Sequence, residues 1–215
     1  MTSRLAAWLT LVGAYTALAY AGRAAGGDPP DDLLYRYSTA VAGLVQYAIV
    51  MVVILWITRG PGRRDLLALR SPVSWWRAGG LALAVTVGIL VLTMVLEQYL
   101  HGGEEQGLTP PSWEPDRAGA YAVNFAVIAL VTPVVEELMF RGAGYSLLVP
   151  FGQAVAIAVV GVTFGLVHGL VAGLLVLSTF GAGLAWLRAK TRSVYPCIAV
   201  HALFNSVALV VAVTT

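Results

Sequence analysis

Seven apolar runs divide the chain, at about 5–21, 38–58, 78–100, 118–148, 152–168, 172–187 and 196–213, and charged positions fall mostly between them. At a rise of 1.5 Å per residue, about 20 apolar residues cross a hydrocarbon core of roughly 30 Å. The runs reach or approach that length. The pattern predicts an all-α, polytopic membrane helix bundle of about seven transmembrane helices, one transmembrane domain spanning 1–215. The fourth run is overlong, which predicts tilt or protrusion. The first follows Arg4 and ends in small residues, as cleavable signals do, but its length and the spans after it argue for a retained helix. No internal repeat is visible.

The intervals orient the bundle. Arg59, Arg63, Arg64, Arg70 and Arg77 face a single Asp65 between runs two and three, and Arg188, Lys190 and Arg192 separate runs six and seven. The positive-inside rule puts both intervals in the cytoplasm. Asp28, Asp31, Asp32, Glu104, Glu105, Glu114 and Asp116 then lie outside, giving an N-in, C-out topology. The stretch Asp65–Arg77, with Leu66, Leu67, Leu69, Val73, Trp75 and Trp76 among arginines, reads either as a short interfacial helix or as a loop with belt residues.

Composition sharpens this reading. The 215 residues are 59% hydrophobic and 11% charged, against about 25% charged in a soluble domain. A net charge of +2 gives no case for nucleic acid. The single cysteine, Cys197, permits no internal disulfide and reads as a small buried apolar residue. His101, beside two glycines at a helix end, reads as an interface residue.

Against that background Glu136 and Glu137 stand out. They sit side by side in the fourth run, where a carboxylate costs roughly 2.5 to 3.5 kcal/mol on insertion scales. Glu137 and Arg141 are four apart, share a helix face and can pair. Glu136 points about 140° from Arg141, so one carboxylate is neutralised locally and the other is left for chemistry as a general base or acid. His168 ends the fifth run. His201 and Asn205, four apart in the seventh, share a face and can donate to one point, as an oxyanion requires. Counted from turns near Pro150 and Arg192, Glu136, His168, His201 and Asn205 lie about 20, 27, 14 and 20 Å from the same membrane face. They can meet near mid-membrane, with His168 deepest. Gly161, Gly165 and Gly169, spaced by four, offer a groove for close helix approach. Pro133 lies one turn before Glu136 and can kink its helix.

Glu-Glu-x-x-x-Arg, Phe-x-x-x-His and His-x-x-x-Asn, in this order on separate apolar segments, resemble the three motifs of the CAAX-protease and bacteriocin-processing (Abi) family of intramembrane proteases. The resemblance covers about 118–213, the catalytic helices it implies. It implies a multi-pass endopeptidase of a prokaryotic plasma membrane, acting on a peptide or lipidated protein terminus. Glu136 and His168 would activate water, and His201 and Asn205 would stabilise the oxyanion. Glu137, Arg141 and the motif residue Phe164 would support them. The family has been described both as metal-dependent and as glutamate-based. No His-Glu-x-x-His is present, which favours a reaction without metal. Glu136, His168 and His201 could still hold a divalent metal such as zinc from separate helices. Two other functions use the same residue types: a proton- or ion-coupled transporter, and a catalytically silent bacteriocin-immunity scaffold. The visible absence of repeats or paired broken helices counts against the first.

Overall fold

The computed structural model describes residues 2–26, 30–100, 105, 110 and 112–214. Asp28, His101 and Glu104 lie outside the described residues. Each of the seven apolar runs is helical. The helices are α1 (Thr2–Gly26), α2 (Tyr37–Ile57), α3 (Trp75–Leu100), α4 (118–148), α5 (Gln153–Leu166), α6 (Leu174–Thr191) and α7 (Tyr195–Ala212). Among the described residues none is in a strand. Among the described residues, five helical segments are long and apolar enough to cross a membrane: α1, α2, most of α3, α4 with its flanking turns, and α7. The 14-residue α5 is shorter, about 21 Å, and α6 ends in Arg188 and Lys190.

The overlong fourth run is accommodated by changes of helical register. Two π-helical segments, Val127–Val131 and Leu138–Gly144, interrupt α4 on either side of Glu136 and Glu137. Each π turn shifts the faces presented before and after it. Nearly all side chains from Val135 to Leu148 are buried, so α4 is the axis around which the other helices pack.

Glycines set the closest approach. A Cβ on Gly161 would lie 2.8 Å from Ala182 Cβ and from the Ser178 carbonyl oxygen, and one on Gly181 would lie 2.9 Å from the Gly161 carbonyl oxygen. α5 and α6 therefore touch backbone to backbone. Gly169 does not continue this groove. It follows the end of α5 with φ +69°, and its backbone packs on Ala19 of α1. That conformation is open to glycine at little cost.

The first helix is integral to the bundle. Trp8 is fully buried, and its indole N–H donates to the Met139 carbonyl at 2.9 Å. A Cβ on Gly144 would lie 2.5 Å from the indole. The stretch after α2 is not an interfacial helix. One helical turn, Arg63–Leu66, is followed by a loop that inserts Leu67 and Ala68 into the core. There Ala68 takes φ 52° and accepts a bond from the Val194 N–H at 3.2 Å. Its leucines mimic an amphipathic helix because they face the core: Leu67 fills the space beside Gly142, and Leu66 and Leu69 pack around it. Trp75 and Trp76 open α3 exposed, as belt residues would be. At the opposite end, Arg117 binds Asp32 and Glu114 at 2.9 and 3.0 Å. Asn124 donates to the carbonyls of Leu34 and Arg36, which ties the segment before α2 to the start of α4.

Candidate active site

The site begins with the break in α4. In a π register the Ile128 carbonyl would await the N–H of residue 133, five positions on. That residue is Pro133, which has none. The amide of Asn205, from α7, donates to the Ile128 carbonyl instead, at 2.9 Å. One N–H of Asn205 is thereby committed to the backbone, and the amide has a second to offer.

The two glutamates diverge as their helical spacing predicts, and each has a partner beyond those expected. Glu137 and Arg141 are fully buried and paired at 2.8 Å. Arg141 also donates to the Gly181 carbonyl at 2.9 Å, and its guanidinium lies 4.5 Å from the centre of the Phe164 ring. The same Oε1 of Glu137 takes a bond from His201 Nδ1 at 2.9 Å. Glu137 is thus the joint between the first and third motifs, a contact across 64 positions that helix periodicity does not reveal. Glu136 has a partner after all. The Tyr47 hydroxyl, from α2, donates to its Oε1 at 2.9 Å. Its Oε2 is buried with no hydrogen-bond partner and stands 3.8 Å from His201 Nε2.

His168 lies past the last turn of α5 rather than inside a span. Its Nδ1 is 2.7 Å from the Phe164 carbonyl, one of the acceptors that a helix end leaves free. A carbonyl only accepts, so Nδ1 carries a proton and Nε2 is the ring nitrogen left for other partners. Phe164 links the parts. It is buried, with ring centres 4.8 Å from His168, 5.7 Å from His201 and 5.3 Å from Phe140.

Glu136, His168, His201 and Asn205 line one cavity of about 400 Å³, together with Tyr47, Phe164, Phe180 and Phe204. A mostly apolar wall around a few convergent polar groups is the usual form of a binding site. Glu136, His168 and His201 are donor types that suit zinc. As placed they are not a three-ligand site: among the described residues no three His, Cys, Asp or Glu side chains group closely enough to hold a metal ion. Sequence reading missed Tyr47, which carries no motif and sits in an apolar run.

The helices and the buried polar chamber define a multi-pass membrane protein with an internal site. Residues 118–207 match the family described as "Type II CAAX prenyl endopeptidase Rce1-like". Over 194 residues the chain is 27% identical to the "Putative membrane peptidase YdiL" of Bacillus subtilis (strain 168), covering 85% of this chain and 75% of that protein. No solved structure matches the chain. The likeness to that endopeptidase family thus covers the part of the chain that carries Glu136, His168, His201 and Asn205.

Proposed function

We propose that this protein is an endopeptidase of a prokaryotic plasma membrane that hydrolyses a peptide bond near the terminus of a membrane-associated or lipidated peptide. One observation carries the reading: four polar side chains from α4, the turn after α5, and α7 line a single cavity inside an apolar bundle.

In this mechanism water sits against Glu136 Oε2 and His168 Nε2. Glu136 takes a proton as the water oxygen attacks the carbonyl carbon. The second N–H of Asn205 and an Nε2–H of His201 donate to the oxyanion. Collapse of the tetrahedral intermediate breaks the C–N bond, and Glu136 returns the proton to the leaving amine. Glu137 and Arg141 hold His201 and α4 in place. No step requires a metal.

The test compares wild type with Glu136→Gln in a purified, reconstituted form, using mass spectrometry of peptides from membranes exposed to each. Glu136→Gln is expected to lower cleavage by about 10²- to 10⁴-fold, the usual worth of a general base, at unchanged melting temperature. Full activity in that variant removes Glu136 from the mechanism. Activity lost to a strong chelator and restored by zinc overturns the metal-free reading.

A further inference from the structure

Two cavities reach Glu136. The first is the chamber described above. The second, about 880 Å³, lies between α1 and α2, with Leu11, Leu18, Val45 and Ile49 in its walls. The two share three residues: Tyr47, Glu136 and His168. Tyr47 therefore forms part of the partition between them, and its hydroxyl is bonded to the glutamate within that partition.

A carboxylate offers two oxygens that exchange places when the group rotates. Here they are not equivalent. Oε1 is tied to Tyr47 at 2.9 Å, and Oε2 has no hydrogen-bond partner while facing His201 Nε2. A bond from an uncharged donor to a carboxylate is shorter and stronger than one between neutral groups, so it resists that rotation. Behind Tyr47, the side chains of Tyr15 and Gln46 are bonded to each other at the rim of the second cavity.

We propose that Tyr47 is the positioning residue for Glu136: by occupying Oε1 it leaves Oε2 as the oxygen that takes the proton from water. The inference rests on the hydrolytic reading above. It assigns a task in the chemistry to α2, outside the three motifs. Tyr47 acts through Glu136 and has no contact with the reacting atoms in this scheme.

The experiment measures kcat and KM for wild type, Tyr47→Phe, Glu136→Gln and a protein carrying 3-fluorotyrosine at 47, all reconstituted in the same vesicles. Tyr47→Phe keeps the ring and the partition and removes the hydroxyl. Its kcat is expected to fall about 10- to 100-fold, the loss of one hydrogen bond to a charged group, with KM and melting temperature unchanged. The fluorinated residue keeps the O–H and is expected to restore kcat to near wild type. Wild-type kcat in Tyr47→Phe, with Glu136→Gln inactive, overturns the role of Tyr47 and leaves the glutamate mechanism standing. Activity in Glu136→Gln overturns both. A Tyr47→Phe defect confined to KM, or tracking a fall in melting temperature, or not restored by 3-fluorotyrosine, assigns Tyr47 to the wall alone and also overturns the proposal.

Discussion

The two halves of the bundle treat the membrane differently. In α3 6% of the most apolar stretch is buried inside the protein, and in α4 44% is. α1, α2 and α3 present Leu9, Val41, Val52, Leu83 and Met94 outward, where lipid is as good a solvent as another leucine. The α4–α7 half keeps Glu137, Arg141 and Arg188 inside. A buried ion is tolerated only where geometry and further hydrogen bonds answer it. Around Arg141 they do: a carboxylate, a carbonyl and an aromatic face meet one guanidinium. Polar groups are thus concentrated where packing is tightest, and the outer helices act through a few inward contacts such as those of Trp8 and Tyr47.

That contrast can be broken most severely at the buried ion pair. Arg141→Leu leaves Glu137 charged with only His201, and loss of one partner of a buried pair costs about 3–5 kcal/mol. Thermal unfolding in detergent should show it as a large fall in melting temperature. Adding Glu137→Gln should recover part of that loss. A fully stable Arg141→Leu protein would mean that the pair contributes to chemistry and not to the fold.

The next effect is expected at the α5–α6 contact. Gly161→Val forces side-chain atoms into backbone already 2.8 Å from the added Cβ, and overpacking of this kind costs about 1–3 kcal/mol. The same measurement checks it, and Gly13→Val on α1, where nothing lies within 4 Å, is the control expected to stay near wild type.

Trp8→Phe probes the outer half where it touches the core. It removes the buried bond from the indole to the Met139 carbonyl, worth about 0.5–1.5 kcal/mol net. Leu18→Ala, on the same helix but exposed, should shift stability by no more than about 0.5 kcal/mol. Equal losses from the two would erase the distinction between the halves.

The smallest effect concerns the polar cap outside the bundle. Hydrogen bonds from Arg36 and then Arg117 hold the Asp32 carboxyl at about 2, below its usual 3.8. A folded-state value below the unfolded one means that stability is fully present above about pH 4–5 and fades as pH falls through 2. Asp32→Asn should flatten that part of the acid-unfolding curve and leave neutral pH nearly untouched.

Much of this was legible before any contact was known. Apolar length marked the helices, because a helix satisfies its own backbone and needs only a lipid-compatible surface. The four-residue spacings placed Glu137 beside Arg141 and turned Glu136 away from both. Other features were hidden for stated reasons. The spacing of Gly161, Gly165 and Gly169 suggested one groove, yet α5 ends before Gly169. The leucines after Asp65 had the composition of an interfacial helix because they fill a core gap. Nothing about Tyr47 distinguishes it from a packing residue in its own run.

The sequence by itself determined the helices, their order and the faces that carry Glu136, Glu137, His201 and Asn205, since periodicity and desolvation act over a turn or a single span. Only the tertiary structure decided which oxygen of Glu136 is held, that Glu137 joins Arg141 to His201, and that Asn205 answers the carbonyl freed by Pro133. Those are bonds between groups 64 to 89 positions apart, and they exist because low-dielectric packing penalises an unpaired polar atom and so favours whatever partner the fold brings within reach.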